Sequence, residues 1–191
     1  PEVVEAARGL EHRAMLLVYL VLEQDRFTEY DAHYFPSPDV PFTRLSEPKN
    51  YSGRRDPAGR TVLCAELPCS TADRVWAADD ASLGTLVTDG LAAAGLPVTS
   101  TVLDVVVRRL PAAYPLYRVG WEERFDRVDA WASGLPGLLT FGRQGLYAHD
   151  NTHHALAMAR AAVACLGDDA HFDAARWARS REDFTRHVVE D

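Results

Sequence analysis

The sequence predicts an α+β fold: a mixed, largely antiparallel sheet with helices packed on it. Three observations carry that expectation. Runs rich in branched and aromatic residues recur near 13–23, 61–67 and 101–110, as strands require. Helical periodicity is confined to separate segments near 79–94, 121–132 and 151–166. Strand–helix alternation is too sparse for a parallel, doubly wound sheet.

In chain order, residues 1–10 read as a short helix, with proline and acids in the first turn and Gly9 near the end. The stretch 13–23 is apolar on both faces and belongs in the middle of a sheet or under two layers. Short strands are expected at 31–35 and 41–45, where prolines confine them to edges or ends. Pro48, Gly53, Pro57 and Gly59 mark 47–60 as a loop with a hairpin-like return. After the strand at 61–67, residues 71–77 form a helical turn. Asp79 or Asp80 then caps a helix carrying Leu83, Leu86, Val87, Leu91 and Ala94 on one face, which Gly95 and Pro97 end. A valine-rich strand follows at 101–110. Residues 111–117 stay extended, because Pro115 steers Tyr114 away from helix. A helix over 121–132 should bury Trp121, Phe125 and Val128, with Glu122 and Glu123 at its positive end. Residues 137–141 read as a short strand leading to a glycine turn. The last long helix runs over 151–166, and 171–191 is a charged, peripheral helix.

The 191 residues suffice for one good core. A net charge of −8 leaves no basic surplus to neutralise phosphates, so a nucleic-acid partner is not expected. Arg54-Arg55 and Arg108-Arg109 are solvated surface pairs. The longest apolar run, residues 14–22, is under half of a membrane span. Cys64, Cys69 and Cys165 lack metal-ligand spacing. Cys64 and Cys69 can in principle pair, but free thiols in a reducing cytoplasm are the expected state.

The chemistry-bearing stretch is Phe141-Gly142-Arg143-Gln144-Gly145-Leu146-Tyr147, followed by Asp150-Asn151-Thr152-His153-His154-Ala155. Gly142 and Gly145 permit positive φ or a close backbone approach to a ligand. Arg143 supplies a fixed cation with several donors, suited to phosphate or carboxylate. Asp150 or Asn151 caps a helix whose first amides face outward at its positive end, a suitable place for negative charge. The same residues also suit an ordinary turn and cap.

This stretch resembles the C-terminal FAD segment of the amine oxidase and protoporphyrinogen oxidase group, UDP-galactopyranose mutase-like proteins included. Two upstream stretches agree. Pro41-Phe42-Thr43-Arg44-Leu45-Ser46-Glu47-Pro48-Lys49-Asn50-Tyr51 resembles the mutase-type Tyr-Thr-Arg-x-x-Glu-x-Lys segment, and Ala113-Tyr114-Pro115-Leu116-Tyr117 also fits. The resemblance implies that Gly142, Arg143, Gly145, Asn151, Thr152 and His153 lie against FAD. It implies that Arg44, Tyr117 and Tyr147 lie near a small-molecule substrate, within a substrate-binding-type region at 1–136. Residues 137–167 are then a strand–turn–helix that contacts FAD, and 168–191 a peripheral tail. Where an acid is common in the mutase cap, His153 stands, which puts mutase activity in doubt.

The group's Gly-x-Gly-x-x-Gly unit is missing, since the twelve glycines never occur two apart. The resemblance therefore implies a C-terminal portion of an oxidoreductase, inactive alone, with its Rossmann half in the same full-length chain or another polypeptide. Its reaction is hydride transfer to flavin, and no catalytic residue is assigned because the cofactor carries the chemistry. A noncatalytic α+β module that binds a small molecule or a protein is the first alternative, and an exposed docking face would let the fragment self-associate. A metal-dependent hydrolase using His149 and His153 is the second. It is disfavoured because His149 precedes the helix, and no metal ligand is assigned.

Overall fold

The computed structural model describes residues 2–53, 56–169 and 171–189. The Arg54-Arg55 pair, Pro1 at the start of the first expected helix, and Ala170, Glu190 and Asp191 of the tail lie outside the described residues. The chain gathers into two compact units, one of Arg13–Ala113 and one combining Pro1–His12 with Tyr114–Asp191.

The sheet grows from the long apolar run. Strand β1 (His12–Leu22) buries Ala14, Leu16, Val18, Leu20 and Leu22 on one face and leaves Leu17, Tyr19 and Val21 half-buried on the other. It pairs antiparallel with β4 (Thr61–Cys69), which pairs antiparallel with β3 (Arg44–Ser46), itself antiparallel to β2 (Ala32–Tyr34). Strand β5 (Val102–Pro115) flanks β1 on its other side, giving the order β2-β3-β4-β1-β5. The expected α+β architecture and the inner position of β1 are both present. Strand β5 runs past the expected end at Leu110 through Pro111. An edge strand tolerates a residue without a backbone N–H, because one side of its ladder is unpaired.

Helix α3 (Asp80–Ala93) covers the first unit's core, where Leu83, Val87 and Leu91 pack with the buried residues of β1 and β4. Asp79 caps it, accepting from the Ser82 amide at 2.7 Å. The helix approaches closely at Gly90, where a Cβ would stand 2.8 Å from Phe42 Cε1 and 2.9 Å from Pro41 Cδ. Within the expected 47–60 loop lies a short helix, α2 (Pro48–Ser52). Pro48 is preorganised for a first helical turn, and Gly53 closes it at φ 61°. The helical turn near 71–77 is a 3-10 turn at Arg74–Ala77. Cys64, Cys69 and Cys165 are free and buried. Cys64 and Cys69 are five positions apart on one strand, so they face opposite sides of the sheet and cannot pair.

The second unit is helical: α1 (Glu2–Arg8), α4 (Trp121–Ser133), α5 (Gly142–Gly145), α6 (Thr152–Ala164) and α7 (Ala174–Phe184). Helix α1 packs on α4, and α6 on both α5 and α7. Trp121, Phe125 and Val128 of α4 are half-buried rather than buried. The expected strand at 137–141 is not one. Leu135 to Gly137 turn, with Gly137 at φ 76°, and Phe141 is extended but pairs with no strand among the described residues. Extended backbone alone does not make a strand without a ladder to join. The Gly142–Gly145 turn is itself one helical turn, α5. No helix among the described residues is long and apolar enough to cross a membrane.

Candidate functional site

The segment from α5 into α6 is built as a clasp. Gly142 sits at φ 76°, a conformation that favours glycine, and its amide donates to the Met158 Sδ of α6 at 3.1 Å. Arg143 then folds inward. Its Nε and Nη2 donate to the Asp150 carbonyl at 3.1 and 2.6 Å, and its guanidinium lies 4.4 Å from the centroid of the Tyr114 ring. The arginine thus fixes the bridge between α5 and α6, with donors that the sequence reading assigned to a ligand. At Gly145 a Cβ would meet the Thr140 backbone at 3.4 Å, an ordinary contact distance, so Gly142 is the glycine that this turn requires.

Asn151 caps α6 through a reciprocal capping box. Its side chain accepts from the His154 amide, while His154 Nδ1 accepts from the Asn151 amide at 3.2 Å. Thr152 and His153 follow on the exposed side of the helix start. Their amides are at the positive end of the helix, where an intrahelical acceptor is absent by geometry. Three of the expected cofactor-facing residues, Asn151, Thr152 and His153, are therefore together at an exposed helix N-terminus.

Tyr147 is 2% exposed and serves the fold. Its hydroxyl bonds to the Glu11 carbonyl and lies 2.9 Å from the Leu116 carbonyl, while the Leu116 amide donates to it at 3.2 Å. Around the ring stand His12, Tyr117, Trp121 and Phe125, with centroids 5.1 to 6.3 Å away. These contacts hold Tyr147 at φ 49°, a conformation few non-glycine residues adopt. Tyr117 is half exposed and tilts over Trp121 at 4.7 Å. Burial pushes both phenols up from their usual range.

Arg44 belongs to the other unit, in register with Tyr34 and Glu66 on the sheet face opposite α3. It forms an ion pair with Glu66, its Nε donating at 3.0 Å. Burial works against its charge, but hydrogen bonds to Glu66 and Tyr34 outweigh that and raise its pKa. The rest of the Pro41–Tyr51 stretch is a structural knot. The buried Glu47 carboxylate accepts from the Phe27 and Thr28 amides, the Thr61 hydroxyl and the Asn50 side chain. Lys49 donates to the carbonyls of Pro57 and Arg60. Sequence reading missed this role, although a Glu flanked by a Lys and an Asn beside a loop was its available signal.

His149 and His153 belong to no group of three metal-ligating side chains among the described residues. His149 precedes α6 and packs edge-on against Tyr114 at 5.1 Å, whereas His153 is on the exposed side of the helix. The three-ligand group among the described residues is instead Asp150, His154 and His187. His187 lies beyond α7, too far along the chain for any spacing rule to have paired it with the other two.

The solved structure of a reduced UDP-galactopyranose mutase matches with a TM-score of 0.62 and 17% identity, over 75% of this chain and 30% of that one. A putative protoporphyrinogen oxidase from Exiguobacterium sp. 255-15 matches with a TM-score of 0.50 and 20% identity, over 64% of this chain and 28% of its own. The chain shares their fold. It spans about three-tenths of the length of these structures. Both lie in the group that the sequence motifs resemble. No family model matches the chain, and no curated protein does.

Proposed function

We propose that this chain is the C-terminal portion of an FAD-dependent oxidoreductase of the amine oxidase-like group, completed by a dinucleotide-binding half. The observation that carries the reading is the exposed, capped start of α6, held in place by the Gly142–Gly145 turn. A helix N-terminus offers outward amides and partial positive charge to an electron-rich cofactor edge, each such interaction contributing roughly 0.3–1 kcal/mol when exposed. The residues present suit such a contact. Thr152 and His153 are exposed, and nothing lies closer than 3.9 Å to where a Gly142 Cβ would be. Asn151 sets the direction of the helix. Arg143 contributes by positioning, since it holds the Asp150 carbonyl and so the entry to α6. When bound, FAD supplies the two-electron acceptor for hydride removal from a C–H beside nitrogen or on a ring system.

Of the residues expected near the substrate, half-exposed Tyr117 is the one this proposal keeps in that role, whereas Tyr147 is buried in the fold and Arg44 is paired with Glu66. The partners are a small-molecule substrate and the dinucleotide-binding half, in a cytoplasmic setting and without nucleic acid. Exposed Val4, Trp131, Leu135 and Leu138 support self-association of the isolated chain.

Flavin content tests the reading. The isolated 191-residue chain is expected to purify colourless. In the complete polypeptide, Arg143→Ala should weaken FAD retention. Stoichiometric flavin in the isolated chain would overturn the need for a second half, and unchanged flavin in the variant would remove Arg143 from the site.

A further inference from the structure

We propose that Asp150, His154 and His187 form a binding site for a divalent transition-metal ion of the zinc class. Asp150 immediately precedes the Asn151 cap of α6, His154 is in the first turn of that helix, and His187 comes from the coil after α7. One ligand atom from each lies within 4.8 Å of the other two. The Asp150 side chain is only 6% exposed, and its Oδ2 is buried without a hydrogen-bond partner among the described residues. His187 Nδ1 is likewise buried and lacks such a partner. A buried carboxylate and an imidazole with unused lone pairs are costly unless a cation joins them.

Distance decides between a shared proton and a metal. Asp150 Oδ1 is 3.6 Å from His154 Nδ1 and 3.8 Å from His187 Nδ1. Both separations exceed the ~3.2 Å reach of an N–H···O hydrogen bond. The Asp150–His187 separation approaches the spacing of two ligands on one tetrahedral ion, about 3.3 Å for bonds of roughly 2.0–2.1 Å, and His154, whose Nδ1 accepts from the Asn151 amide, would ligate through Nε2. Two imidazoles and one carboxylate suit zinc rather than magnesium or calcium, which prefer all-oxygen sets, and water completes the fourth position. The capping box orients the His154 ring. The two histidine rings are stacked at 14°, with centroids 4.5 Å apart. Binding therefore requires one ring to turn about its Cβ–Cγ bond, and His187, outside any helix, is the one placed to do so. A bound ion would tie the coil after α7 to the start of α6.

The test is calorimetric titration of the full 191-residue chain with Zn²⁺, alongside Co²⁺ absorption spectra and thermal melts. One equivalent should bind, Co²⁺ should give the intense visible bands of a tetrahedral site, and Zn²⁺ should raise Tm. His187→Ala should weaken Zn²⁺ binding at least roughly tenfold and abolish the Tm shift, with circular dichroism unchanged. Asp150→Asn should do the same, and if that variant does not fold, His187→Ala decides alone. Absence of saturable binding would overturn the proposal. Equal affinity in wild type and His187→Ala would also overturn it, by placing the ion on other histidines. None of these readouts depends on flavin, so the site stands or falls separately from the proposed function.

Discussion

Tyr147 shows how a residue that suggests a ligand wall can belong to the fold. Its one hydroxyl proton is shared between the Glu11 and Leu116 carbonyls, while its oxygen receives the Leu116 amide. Tyr147→Phe would keep the aromatic cluster and remove the hydroxyl's hydrogen bonds, while the Leu116 amide still donates to the Glu11 carbonyl and the Arg118 amide to the Leu116 carbonyl, each at 2.9 Å. The expected cost is about 0.5–1.5 kcal/mol, measured by urea unfolding; an unchanged midpoint would show that the hydroxyl carries no structural role. The cysteines give a second prediction at this scale. Burial is the main influence raising the Cys64 and Cys69 thiols, and Cys165 is 2% exposed. The native chain should therefore react slowly with iodoacetamide at neutral pH, and all three should react in denaturant. Rapid native labelling would contradict their placement. Gly142, Arg143 and Asn151 were legible in the sequence as a turn and cap. The inward direction of the Arg143 side chain was not, because only the fold brings Tyr114 beside it.

Single elements succeeded where one physical signal dominated. The apolar run of β1 and the Asp79-capped periodicity of α3 each had a pattern with one good solution. Residues 137–141 failed because β-propensity says nothing about whether a partner strand exists. The short helix α2 was hidden by the glycines and prolines around it, although Pro48 begins it and Gly53 ends it. Two predictions belong to elements. Gly90→Ala on α3 would drive a Cβ into Pro41 and Phe42, and should destabilise the chain by about 1–3 kcal/mol, lowering Tm. Ordinary helix propensity predicts the opposite sign, so a raised Tm would disprove the close approach. Asp173 caps α7 by accepting from the Arg176 amide at 2.8 Å, and Asp173→Ala should cost about 1 kcal/mol. Faster amide exchange confined to α7 would report that loss, and unchanged exchange there would show the cap to be dispensable.

At the scale of the molecule, the α+β architecture followed from the separation of strand and helix periods along the chain. Likeness to two flavoprotein-group structures at 17% and 20% identity extends that agreement to topology. The Asp150–His154–His187 group could not be read from sequence, since folding alone brings residue 187 to the start of α6. The central claim is that the exposed start of α6 faces FAD in the complete protein. The direct measurement is the flavin absorption spectrum of the full-length polypeptide carrying these residues, for wild type and Thr152→Glu. Thr152 is exposed, so the substitution spares the core while placing negative charge at the proposed cofactor edge. The account predicts a yellow wild-type protein with about one FAD per chain and a variant that retains less flavin or holds it at a lower reduction potential. A colourless full-length protein, or a variant with unchanged flavin content and potential, would contradict it.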